Sequence, residues 1–145
     1  MADDGGFRLC GLAVVHPWLC DAMGHLTTRH YVGMFDDASY QLFAMLGTDT
    51  GQGLADGLGW ADVRHEIDYL DELRVGAQVR IEGRVVALGT RSVTSELRLL
   101  RQSDAGICAR LTAVTVCFNL AERRAAPLPD EFRRGATALF ALPGG

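Results

Sequence analysis

The chain has 145 residues, the size of one domain, and 48% of them are apolar, enough for one substantial core. Charged residues make up only 22%, too few for a highly solvated or disordered chain, and a net charge of -4 argues against a sequence-wide attraction to nucleic acid. No apolar run approaches membrane-spanning length, and the start, Met-Ala-Asp-Asp-Gly-Gly, is acidic rather than signal-like, so a cytoplasmic protein without membrane contact is expected.

All fourteen basic residues are Arg, which a genomic compositional bias explains. Any phosphate-binding cation must therefore be a planar guanidinium able to bond through two N–H groups. Cys10, Cys20, Cys108 and Cys117 show no C-x-x-C spacing, so neither a zinc site nor a redox pair is expected. They read as small hydrophobes.

In chain order, residues 7–15 are mostly apolar and β-prone, a first strand that Pro17 and Trp18 end. After a loop the period changes. Tyr31, Phe35, Ala38, Leu42 and Met45 recur at steps of three or four, as one helix face requires. Thr27 is the expected cap, Leu26 can pack on Tyr31 as a staple, and Gly47 is the expected stop. Val32, Met34, Phe43 and Leu46 lie off that stripe, so the helix should be wrapped by other structure. Residues 48–59 form a Gly-rich connection expected to be mobile or to lie near a ligand.

From Trp60 the chain is β-rich. Ala61, Val63, His65, Ile67 and Tyr69 alternate with Asp62, Arg64, Glu66 and Asp68, and a second alternation covers residues 78–87. Two more strands, 91–101 and 107–120, follow across Gly-containing turns, and together these runs predict a four-strand meander of antiparallel hairpins. The last strand is apolar on both faces after Ala113, so it should be central or lie at a subunit interface. Residues 127–134, with Pro127 and Pro129, predict a tail with one helical turn. The expectation is a single α+β domain, residues 1–145, with its core over about 7–134 and a tail from 127.

The loop between the first strand and the helix carries the chemistry. It and the first helical turn hold His16, Cys20, Asp21, His25 and His30, with Gly24 in the middle. Its exit is a helix N-terminus, whose free N–H groups and positive dipole end favour an oxyanion. A carboxylate just before such a terminus can face a carbonyl that those N–H groups polarise.

The stretch His16-Pro-Trp-Leu-Cys-Asp21-Ala-Met-Gly24-His25-Leu-Thr-Thr-Arg-His-Tyr31 resembles the signature of the 4-hydroxybenzoyl-CoA thioesterase-like group of hotdog proteins. Phe35-Asp-Asp-Ala-Ser, His65-Glu-Ile-Asp-Tyr-Leu, Val116-Cys-Phe-Asn-Leu and Pro127-Leu-Pro extend the likeness over about residues 7–134. The resemblance implies a hotdog fold, an antiparallel sheet wrapped around one long helix. It also implies an acyl-CoA thioesterase that needs no cofactor or metal, and a homodimer or dimer-of-dimers tetramer with active sites at the subunit interface.

By position, the resemblance makes Asp21 the catalytic carboxylate, as nucleophile or as base for water. The N–H near Thr28 polarises the thioester carbonyl, and His25 joins the catalytic set. Gly24, Tyr31 and His65 line the substrate site, while Arg91 stands where relatives place a cation for CoA phosphates. Thr27-Thr28 departs from the Asn many relatives carry.

Each residue also has a structural reading. Asp21 can cap the turn before Gly24. Cys20 reads as a packed thiol. His65, on the apolar face of its strand, reads as a core histidine. Asp36 reads as part of a solvated face and Asp37 as an outer neighbour of the site, because about 13 Å of helix separates Thr28 from Asp37 at 1.5 Å per residue. Arg91 reads as a hairpin-edge charge. The rival functions are a hotdog enoyl-CoA hydratase or dehydratase and a non-catalytic acyl-CoA-binding protein.

Overall fold

A computed structural model describes residues 5–47 and 57–142. Its elements are β1 (Arg8–Val14), α1 (Thr28–Ala44), β2 (Leu58–Tyr69), β3 (Gln78–Leu88), β4 (Ser92–Arg101), β5 (Ile107–Asn119), β6 (Arg124–Ala125) and α2 (Asp130–Phe140), with one 3-10 turn at Pro17–Leu19. The connection expected to be mobile or ligand-adjacent falls mostly outside the described residues.

The sheet runs β1-β3-β4-β5-β2, every pair antiparallel, with the short β6 on the end of β5. Helix α1 packs on one face of it, burying Tyr31, Phe35, Ala38, Leu42 and Phe43. This is the α+β hotdog arrangement, an antiparallel sheet around a long helix. The expected stripe on α1 is right except at its end. Met45 is exposed and Phe43 takes the buried place, because the helix stops at Ala44 and Met45 belongs to the turn that Gly47 closes at φ +85°.

The four-strand meander needs correction. Strands β3, β4 and β5 form hairpins as expected, but β2 pairs with β5 and not with β3. Residues 70–77 cross from one side of the sheet to the other, a strap anchored by the fully buried Leu73. Strand β5 is therefore internal and β2 is an edge.

The simple alternation in β2 also fails at one place. The register slips between Asp62 and Arg64, so Val63 is bulged and the strand changes phase. Asp62 opposes Thr115 and His65 opposes Ala113, both on the face that α1 covers, while Val63 is 60% exposed. His65 is no core histidine. Its strand is an edge, and its ring stays a third exposed.

The tail is longer than one turn. Helix α2 runs eleven residues, Asp130–Phe140, after Pro129 at its N-cap, with Asp130 and Glu131 complementing its N-terminal dipole. Phe132 and Ala136, four residues apart, are both buried. Phe132 sits 5.4 Å from Phe43 and 5.0 Å from Trp60, ring to ring, and so closes the C-terminal end of α1. Replacing Phe132 with Ala should cost about 3–5 kcal/mol in chemical denaturation. A loss below about 1 kcal/mol would show that α2 is not part of the core.

Candidate functional site

The chain leaves β1 at the end of the sheet where Val14 pairs with Gln78, makes the 3-10 turn, and enters a tight loop. Cys20 and Leu26 form an antiparallel bridge across that loop and draw its two ends together. Asp21 stands one residue inside the bridge and Thr28 two residues beyond it. The Asp21 and Gly24 amides donate to His25 O (2.9 Å) and Asp21 O (3.0 Å). Gly24 takes φ +79°, a left-handed conformation, and nothing lies within 4 Å of where a Cβ would be. Backbone conformation, and not crowding, therefore favours glycine three residues after Asp21.

The Asp21 side chain has a structural task. Its Oδ1 accepts hydrogen bonds from the amides of Met23 (2.9 Å) and His25 (3.1 Å), an Asx-type cap on the turn. The residue is exposed, and no such bond engages Oδ2 among the described residues. One oxygen holds the turn and the other is not needed for it.

Thr27 occupies the N-cap position of α1 in extended conformation, held by its N–H bond to Leu19 O at 3.0 Å. Its hydroxyl, expected to cap the helix, makes no such bond, and the first turn contains no acidic residue. The amides at Thr28 and Arg29 thus begin a positive helix end that no side chain of the cap neutralises.

His25 is turned toward the strap. Its Nε2 lies 3.1 Å from Glu72 Oε2, an ion-pair distance without hydrogen-bond alignment, and its backbone bridges to Arg74. Tyr31, one turn into α1, is buried edge-on against Tyr69 at 5.2 Å. Burial first, and then the charges of Cys108, Asp71 and Glu72 and the neighbouring Tyr69, raise its pKa, so the phenol is neutral at pH 7.

Two expected residues lie elsewhere in the chain. His65 is near the middle of β2, 3.7 Å from Asp62 Oδ2, and Asp62 Oδ1 accepts a 2.8 Å bond from Thr115. Asp36 on α1 belongs to this neighbourhood. It is exposed, as a solvated face requires; burial, then Asp62 and Asp37, raise its pKa while His65 opposes them. Arg91 lies in the turn between β3 and β4, at the far end of the sheet from Asp21, roughly 30 Å away along β3. Asp21, Gly24, His25, Thr28 and Tyr31 share one end of the sheet, and Arg91 and His65 do not.

Sequence reasoning missed Glu72 and Asp62, the carboxylates that hold the two histidines. The charged run Asp71-Glu72 after the second strand was the available signal for the first. The phase change at Val63 hid the second. Three of the four cysteines are poor nucleophiles: burial pushes the Cys10 thiol up to about 11 and raises Cys108 and Cys117 as well. Among the described residues no group of three or more His, Cys, Asp or Glu could hold a metal ion.

The thioesterase-like superfamily model matches residues 15–135. The chain belongs to the thioesterase-like superfamily. It is accordingly a thioester hydrolase, and the likeness read from the loop motif holds. A Thermus thermophilus thioesterase solved with coenzyme A and zinc is 26% identical with a TM-score of 0.80, covering 95% of this chain and 98% of its own. A Staphylococcus aureus protein solved with CoA is 16% identical with a TM-score of 0.81, covering 94% of this chain and 87% of its own. A 1,4-dihydroxy-2-naphthoyl-CoA thioesterase from Synechocystis is 16% identical with a TM-score of 0.72, covering 87% and 93%. These last two share the fold. No curated protein sequence matches.

The Asx cap makes a prediction about stability alone. Asn keeps the Oδ1 acceptor, so Asp21→Asn should unfold within about 0.5 kcal/mol of wild type. Asp21→Ala removes the acceptor of two amides and should cost about 1–2 kcal/mol in denaturant. Equal stability of the two variants would mean that the side chain does not hold the turn.

Proposed function

We propose that the protein hydrolyses acyl-CoA thioesters to a free carboxylic acid and CoA, at the end of α1 that carries Asp21. The observation that supports this most is the divided carboxylate: Oδ1 fixed by two amides, Oδ2 free, next to an open helix N-terminus. The thioester carbonyl oxygen would take the Thr28 and Arg29 amides, whose stabilisation grows as the oxyanion develops. Asp21 then attacks the carbonyl carbon or removes a proton from water that does so. The C–S bond breaks, sulfur leaves and takes a proton, and water supplies the second oxygen of the acid. His25, held against Glu72, steadies the loop and borders the substrate, together with Gly24 and Tyr31.

A single subunit offers no cation for the CoA phosphates at this end through Arg91, but a pair does. Strand β2 is a twelve-residue edge with one side on β5, and long bare edges invite pairing. Antiparallel pairing of two β2 strands near Val63 reverses their ends. It sets the Leu58 end of one copy, with its Arg91 turn, beside the Tyr69 end of the other, with its Asp21 loop. The proposed unit is therefore a homodimer, or a tetramer of two such pairs, with each site drawing on both copies and His65 close to the pairing axis. No helix of the described residues is long and apolar enough to cross a membrane, which accords with a proposed cytoplasmic setting.

Thiol release from a panel of acyl-CoAs tests the activity. Asp21→Asn should lower turnover by about 10²–10⁴-fold while the fold persists. Full activity in that variant, or loss of enoyl-CoA absorbance without thiol release in the wild type, would sink the proposal. Sedimentation should show a dimer or tetramer, and an active monomer would remove Arg91 from the site.

A further inference from the structure

Helix α1 has a second surface that the chemistry at its N-terminus does not use. Met34, Asp37, Ala38 and Gln41 repeat at i, i+3, i+4 and i+7, and so form one stripe along the helix. This stripe faces β1, and between them is a half-open groove of about 360 Å³, floored by Cys10, Gly11, Ala13 and Ile81. Small residues keep it open: Gly11 and Ala13 on the strand, Ala38 on the helix. The volume is within the range of small-molecule sites.

Its position relates it to the reaction. Because β1 leads into the loop and α1 returns from it, the Ala13–Met34 end of the groove is the end nearer Asp21. At 1.5 Å per residue, Met34 lies about 9 Å and Gln41 about 20 Å along the axis from Thr28. A chain whose carbonyl docks on the Thr28 amide would enter the groove after several carbons and run along the helix. Electrostatics sets the direction. The positive end of α1 favours the oxyanion and the carboxylate product, while Asp37 at the groove disfavours an anionic head there. The tail, and not the head, belongs between α1 and β1.

We propose that the groove between α1 and β1 holds the aliphatic tail of a medium-chain or longer acyl-CoA. This rests on the thioesterase reading above and names its substrate class. A short acyl group cannot reach the groove, and leaves its apolar floor wet.

The test compares dodecanoyl-CoA with acetyl-CoA by thiol release. Wild type should have the higher kcat/KM for dodecanoyl-CoA. Ala13→Leu fills the groove and should lower the dodecanoyl-to-acetyl ratio of kcat/KM about tenfold or more. Gly11→Ala is a milder variant whose added methyl meets only Ile81 Cδ1, at 3.7 Å, and it should shift the ratio in the same direction. Met34→Ala enlarges the groove and should move the preference toward longer chains. No chain-length preference in the wild type, or an unchanged ratio in folded variants, overturns the proposal. If no acyl-CoA of the wider panel is hydrolysed either, the activity reading fails and calorimetry judges the groove separately. Tighter binding of dodecanoyl-CoA than of CoA, lost in Ala13→Leu, supports it, and equal binding in the wild type overturns it.

Discussion

Two backbone hydrogen bonds fasten the loop that carries Asp21 to the strap behind it: Leu26 N–H to Leu73 O at 2.8 Å and Val75 N–H to Gly24 O at 3.1 Å. Leu73 is wholly buried, so the strap cannot slide without emptying part of the core. Leu26 is buried next to the start of α1, so the loop is pinned at both ends of its turn. The position of Asp21 relative to the helix N-terminus depends on these ties. The strap exists only because β2 pairs with β5, which forces residues 70–77 to cross the end of the sheet. Sheet topology thus determines the geometry of the loop.

The same dependence explains what the sequence could and could not reveal. Local signals are legible. The helical period of Tyr31, Phe35, Ala38 and Leu42, the turn at Gly24 and the hairpins after Leu88 and Arg101 are each encoded within a few residues. Pairing partners are not. Nothing in the alternation of residues 60–69 says that this strand lies beside β5 at an edge, and the bulge at Val63 changes its phase without a Gly or Pro to mark it. His65 does lie on the helix-covered face, but the edge position leaves its ring a third exposed. Helix α2 exceeds the single turn expected of residues 127–134, with Phe132, Ala136, Leu139 and Phe140 at helical spacing on its packed side. Its burial comes from Phe43 and Trp60, far away in sequence.

Asp21 is where the structural and chemical readings meet, and they do not compete. A carboxylate that accepts two amide bonds through one oxygen loses rotational freedom before any substrate arrives, so less ordering is left for the reaction. In the proposed reaction the cap would also work in the direction the chemistry needs, since it orients the second oxygen without neutralising it. Arg91 shows the opposite case. A guanidinium roughly 30 Å from the carboxylate in its own subunit gains a function only if symmetry brings another copy's end alongside.

Helix α1 connects these separate demands because its axis is a ruler. Its first amides fix where a carbonyl can be polarised. Its Tyr31 and Phe35 face anchors it to the sheet, and its Met34–Gln41 stripe leaves a groove on the side of β1. The stripe and the anchoring face are interleaved along the same turns, so the groove cannot drift relative to the helix N-terminus. Chain-length selection and catalysis would then be set by one rigid element, with the residues that tune one lying turns away from those that perform the other. Asp37, too far along the helix to act on a carbonyl at its N-terminus, has a consistent place in this scheme: its charge keeps the acid end of the substrate out of the groove.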